Sequence, residues 1–101
     1  MKFEHTMVFE TTNDLEEIFT YGNQKLSTLI VDAALKNLKT SINEIPVVSI
    51  GTKDDDILYD IMIERPDMIE TLEQNLEPME RYEDYERCAK ITSALDYLKS
   101  K

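Results

Sequence analysis

Hydrophobic and polar residues alternate in two stretches of this chain, and elsewhere apolar residues recur at helical spacing. Phe3, His5, Met7 and Phe9 alternate with Lys2, Glu4, Thr6, Val8 and Glu10, a period of two that predicts a strand with one buried face. Thr11 to Asp14 supplies turn and cap chemistry, with Asn13 and Glu16 spaced as a capping box. The short helix opened there presents Leu15, Ile18 and Phe19 and stops at Gly22. Asn23 is placed to cap a longer helix reaching about Lys39, in which Leu26, Leu29, Ile30, Ala33, Leu35 and Leu38 cover a broad apolar arc. Lys36 and Lys39 suit its negative end, and Asp32 is its one acid.

Ile45 to Ile50 is a β-branched run and reads as a strand, with Pro46 placing it at an edge or marking the strand entry, since proline lacks the ladder amide. Ile57 to Ile63 alternates again, Ile57, Tyr59, Ile61 and Ile63 on one face and Leu58, Asp60, Met62 and Glu64 near them on the other. The six residues from Gly51 to Asp56 form the hairpin loop between these strands, so they pair antiparallel and the N-terminal strand joins them. Arg65-Pro66 ends the sheet, and Pro66, Asp67 and Glu70 suit a helix start. Ile69, Leu72, Leu76 and Met79 form the stripe of that helix, which Pro78 is expected to kink or end. A last helix from about Asp84 presents Tyr85, Cys88, Ile91 or Thr92, Leu95 and Leu98, with Ala89 and Ala94 allowing close approach of a neighbour. The expected fold class is α+β. A small, mainly antiparallel three-stranded sheet is packed by helices in the order β-α-α-β-β-α-α, ending in a helical hairpin. At 101 residues this is one domain, with residues 1–66 giving the sheet and two helices and residues 67–101 the hairpin.

Charge changes this picture most. From Asp54 to Glu86 thirteen acidic side chains face two basic ones, Arg65 and Arg81, a net −11 against a formal −10 for the whole chain. An acidic third repels phosphate and anionic membrane and favours a basic partner. Direct binding of nucleic acid, which draws on Lys and Arg, is not expected, because Arg87, Lys90, Lys99 and Lys101 form the one basic cluster and adjoin the acids. Cys88 is the only cysteine, which excludes an internal disulfide and suits a reducing, cytoplasmic setting. No apolar run approaches the ~20 residues of a membrane span, and the N-terminus lacks the continuous apolar core of a signal peptide.

The candidate chemistry is sparse. Asp54-Asp55-Asp56 lacks the alternating ligand spacing, mid-loop glycine and closing glutamate of a calcium loop and reads as a solvated hairpin tip. His5, the one histidine, lies on an apolar strand face, and Cys88 lies on a helix stripe beside Asp84 and Glu86, which would raise a thiol pKa. Gly22 and Gly51 stand alone, so no glycine-rich phosphate cradle exists. No catalytic, cofactor-binding or metal residues are expected, and no cofactor. Tyr82 and Tyr85 flank the turn between the last two helices beside Arg81 and Arg87, and aromatic residues with arginine are common interface anchors. The structural alternative has Tyr85 packing the hairpin and Tyr82 capping its end.

The stretch Asp84-Tyr85-Glu86-Arg87-Cys88-Ala89-Lys90-Ile91, with Leu95 and Leu98, resembles the UVR helical-hairpin interaction motif of bacterial excision-repair subunits. That family reads acid–aromatic–Glu–x–Ala–Ala–x–Leu/Ile, then Arg-Asp and spaced leucines. Here Cys88 stands at the first alanine and Thr92-Ser93 at the Arg-Asp. The resemblance covers about 30 C-terminal residues. It implies two antiparallel helices that pair with another protein or a second copy, with Tyr85, Ala89, Ile91, Leu95 and Leu98 in the packing seam. Leu72, Leu76 and Met79 would supply the facing helix.

The functional expectation is a non-enzymatic acidic binding module (a regulator, adaptor or inhibitor) docking on the basic surface of a larger protein. Its candidate contacts are Asp54, Asp55, Asp56, Glu77, Glu80, Arg81, Tyr82, Glu83 and Asp84. One alternative is a nucleic-acid mimic that inhibits a DNA- or RNA-binding protein. Another is a small enzyme or ligand binder with Asp60 and Glu64 in a pocket between sheet and hairpin. A homodimer through the hairpin is also open.

Overall fold

The computed structural model describes residues 3–100, apart from the side chain of Ile57; Lys2, Lys101 and the Ile57 side chain, assigned above, lie outside the described residues. The sheet is built on β2 (Glu44–Thr52), whose Ile45, Val48 and Ile50 are fully buried. Antiparallel to it runs β3 (Asp55–Glu64), pairing Ile45 with Ile63, Ile50 with Tyr59 and Gly51 with Leu58. On the other side β1 (Thr6–Phe9) pairs in parallel, Thr6 opposite Ser49 and Phe9 opposite Thr52, so the strand order is β1-β2-β3.

The connection between β1 and β2 carries α1 (Thr12–Tyr21) and α2 (Gln24–Lys36), which is why the outer pair is parallel: a helical crossover returns the chain to the same end of the sheet. A short 3-10 turn (Arg65–Asp67) with Pro66 then leads into α3 (Met68–Arg81) and α4 (Tyr85–Lys99), the C-terminal helical hairpin. All four helices contribute to one apolar core against the inner face of the sheet, with Leu15, Val31, Met68, Leu72, Met79, Ile91 and Ala94 at most 3% exposed. The opposite face of the sheet carries exposed Val8, Leu58 and Met62. A thinnest dimension of 18 Å fits one helical layer on one sheet.

Several local expectations need correction. β2 is central, not an edge; Pro46 stands instead at the strand entry, the other position expected for it, where β1 does not reach because it pairs only from Ser49 onward. A bulge between Pro46 and Val48 absorbs the lost ladder bond, with Val47 2% exposed. The hairpin loop is not six residues long. Pairing continues to Thr52–Asp55, leaving Lys53 and Asp54 as the turn. The cap of α1 is Thr11, not Asn13: Thr11 is extended (φ −135, ψ 159) and its Oγ1 accepts the Asp14 amide at 3.1 Å. Gly22 does end that helix, at φ +84, a left-handed conformation that suits glycine, and its amide donates to the Ile18 carbonyl. Asn23 caps α2 through Leu26, but the helix closes at Lys36, three residues early, where the Asn37 side chain donates to the Ala33 carbonyl. Pro78 does not end α3, which runs on to Arg81 because Met79 beside it is wholly buried. His5 is exposed and precedes β1 instead of lying on its buried face.

Candidate interaction surface

The acidic segment begins at the β2–β3 turn, where one carboxylate is already spoken for. Asp54 Oδ2 accepts the Thr12 amide and Oδ1 the Thr12 hydroxyl, both at 3.0 Å, so the turn supplies a second cap to the positive end of α1. The Thr12 amide holds the Asp54 carboxyl below the ordinary aspartate range. Asp55 is half-buried in the ladder, and Asp56 is exposed where the β2–β3 register shifts. Farther along β3, Asp60 and Glu64 stand exposed on the open sheet face with Leu58 and Met62. Asp60 accepts the Ser49 hydroxyl at 3.0 Å across the ladder. Neither carboxylate lines the groove between α2 and α4, the cleft beside α2 and β2, or the hollow at the start of α2, so none of these matches the pocket between sheet and hairpin sketched for them from the sequence.

Gly51 shapes this face. A Cβ there would come within 3.1 Å of the Leu58 side chain, so glycine lets Leu58 lie flat across the central strand.

On α3, Glu70, Glu73, Glu77 and Glu80 are spaced three, four and three residues apart and form one exposed stripe about 15 Å long. The helix ends in a Schellman arrangement: the Glu83 amide donates to Glu80 and the Asp84 amide to Met79, at 3.0 and 2.9 Å. Glu83 occupies the left-handed position of that motif, φ +59, where glycine is usual. Asp84 then caps α4, accepting the Arg87 amide at 3.2 Å and Nη1 at 2.7 Å. Arg87 reaches on to α2 with a two-pronged contact to Asp32, both bonds at 2.9 Å. Its guanidinium holds the Asp84 carboxyl below the usual range, and the two carboxylates raise the Arg87 pKa.

The two tyrosines exchange the places given by the structural alternative. Tyr82 is half-buried against the core, its hydroxyl 3.8 Å from where a Cβ on Gly22 would sit. Tyr85 is 65% exposed, and Ala89, carried into the seam by the hairpin resemblance, is exposed too. The observed seam is made by Cys88, Ile91, Ala94, Leu95 and Leu98. Burial, together with Glu80 and Asp84, pushes the Cys88 thiol pKa up, which leaves it a poor nucleophile.

The nine candidate contacts therefore fall into two groups that α1 separates. Asp54 meets its first residue, and Tyr82 lies beside the glycine that ends it, about 15 Å away for a helix of 10 residues. Within them Asp54, Tyr82 and Asp84 hold the fold together, while Asp56, Glu77, Glu80, Arg81 and Glu83 face solvent.

Sequence reasoning did not find the use made of Arg65. Its guanidinium turns onto the α2–β2 connection, donating to the carbonyls of Asn37 (2.9 Å) and Ile42 (2.9 and 2.7 Å) and to Thr40 Oγ1 (3.0 Å). An arginine just after an acidic strand carries no signal of this; only the approach of residues 37–42 reveals it. Also unforeseen is a shallow apolar groove of about 460 Å³ between α2 and α4, lined by Leu35, Leu38, Ala94 and Tyr97, with Lys39 5.3 Å above the Tyr97 ring.

Fold and surface together define a two-layer α+β protein with one acidic strand, one acidic helix stripe and a C-terminal helical hairpin. Among the described residues no group of three or more His, Cys, Asp or Glu side chains is arranged to hold a metal ion, and no helix is long and apolar enough to cross a membrane. Compared with protein-family models, with curated proteins and with solved structures, the chain matches none of them.

Proposed function

We propose that this protein is a non-enzymatic binding module, a regulator, adaptor or inhibitor that docks on the basic surface of a partner protein in a cytoplasmic setting. The supporting observation is the state of its carboxylates. Asp56, Glu64, Asp67, Glu77, Glu80 and Glu83 are exposed and in no ion pair among the described residues. Arg65, one of the two cations in the segment, spends its donors on backbone carbonyls and a threonine hydroxyl. The remaining field is negative and unscreened by neighbours, which speeds encounter with a cationic surface and makes binding salt-sensitive.

The test is capture of partners from the host at low salt with the intact protein, followed by affinity measured against ionic strength. Affinity falling at least tenfold between about 50 and 500 mM salt is expected. Affinity that does not move with salt removes the electrostatic basis of the proposal. The α3 stripe favours a narrower version, mimicry of a phosphate backbone, in which case the captured partner binds DNA or RNA and releases it on adding this protein. A dimer through the exposed Tyr85 face of the hairpin is the competing arrangement, and sedimentation velocity across concentrations separates it from a monomer.

A further inference from the structure

The sheet order β1-β2-β3 leaves β3 with one partner strand, so among the described residues no strand lies along its outer edge from Leu58 to Glu64. Among the described residues, no backbone hydrogen bond from turns, loops or caps engages residues 58–64. Such an edge is a template for another strand unless something blocks it. No proline interrupts β3, and every residue from Leu58 to Glu64 has a partner on β2, the bulge in that stretch lying on the β2 side, between Pro46 and Val48. Its side chains divide cleanly. Tyr59 and Ile61 face the core side yet remain half-buried, while Ile63 is 4% exposed. The apolar layer is therefore unfinished at this edge. On the open face Asp60 and Glu64 stand four residues apart and exposed.

The geometry points to β3 as a docking edge for an extended basic segment of a partner protein, which adds as a fourth strand. This rests on the acidic-module reading and specifies its contact. An added strand that completes the layer needs apolar or β-branched residues against Tyr59 and Ile61. Its alternate residues emerge on the open face, where Lys or Arg meets Asp60 and Glu64 across the new ladder. The partner segment thus alternates basic and apolar residues over about seven positions. A second copy of this chain is the wrong occupant. In antiparallel registers centred on residues 60 to 62, Asp60 and Glu64 face like carboxylates directly or diagonally. The same acids that discourage self-pairing select a cationic strand.

The probe is an end-blocked nine-residue peptide of alternating lysine and valine, compared with one of alternating lysine and proline, which has equal charge and cannot pair. With the full-length protein at low salt, the lysine–valine peptide binds at least tenfold more tightly and slows amide exchange in residues 58–64. The exposed double substitution Asp60→Lys/Glu64→Lys, checked for folding by circular dichroism, abolishes that preference. Equal, salt-sensitive binding of both peptides, without protection in β3, overturns edge pairing and leaves the acidic-module reading standing. No binding of either peptide at low salt overturns both.

Discussion

Replacing Arg65 with alanine removes the clamp that joins the end of β3 to the loop leaving α2. Four bonds of 2.7–3.0 Å are lost, three of them to the carbonyls of Asn37 and Ile42. Asn37 is the residue that closes α2, so one of those bonds also places a positive charge at the negative end of a helix. Hydrogen bonds to a charged donor contribute roughly 1.5–3 kcal/mol each where water cannot replace them. Arg65 is half-buried, and the contacts to Thr40 and Ile42 lie at an exposed rim, so water recovers much of the total. A loss of about 2–3 kcal/mol is expected, which for a domain of this size lowers Tm by about 10–20 °C. Urea unfolding followed by circular dichroism measures it, with the midpoint moving and the slope unchanged. Arg65→Lys keeps the charge but cannot fork, and recovers less than half of the loss. An alanine variant within about 0.5 kcal/mol of the parent would refute the clamp, since that is the range of an ordinary surface change.

Glu83→Gly relieves the left-handed backbone at φ +59 and is expected to be more stable than Glu83→Ala by about 1 kcal/mol in the same urea assay, although both variants lose the same charge. Leu72→Ala empties a wholly buried core site on α3 and is expected to cost about 3 kcal/mol, read from thermal unfolding. Two opposing effects set the pH dependence. Asp54 and Asp84 titrate lower folded than unfolded, so their stabilisation is complete above the usual carboxylate range near pH ~4 and is lost as pH falls through their lowered values. The formal charge of −10 meanwhile relaxes toward an isoelectric point near 4.4, easing self-repulsion. At low salt, stability should therefore be at least as high at pH 5 as at pH 7 and fall steeply below about pH 3, while added salt at pH 7 stabilises. A stability curve that drops steadily from pH 7 to pH 5 contradicts this balance.

The elements were legible because each rests on local chemistry. Alternation fixed which side of β3 is buried, Asn23 and Gly22 marked the ends of α2 and α1, and the stripe Leu72–Leu76–Met79 survived even the proline that argued against it. What failed was whatever needed a distant partner. The hairpin turn looked six residues long because nothing near Asp54 in sequence hints that Thr12 holds it. The structural alternative for Tyr82 and Tyr85 fails because the residues around a left-handed turn set which of them faces the core, and that turn carries Tyr82 inward and Tyr85 outward.

Periodicity and charge are local properties of a chain, and here they suffice to specify an α+β fold with a C-terminal helical hairpin and a heavily acidic third. Which acids stay exposed and which are tied up depends on packing. It committed Asp54 and Asp84 to helix caps, turned Arg65 onto a loop, and left Asp60 and Glu64 along an unpaired strand edge. A carboxylate's availability depends on the donors that folding brings near it, and for Asp54 the donor, Thr12, lies 42 residues away in the chain.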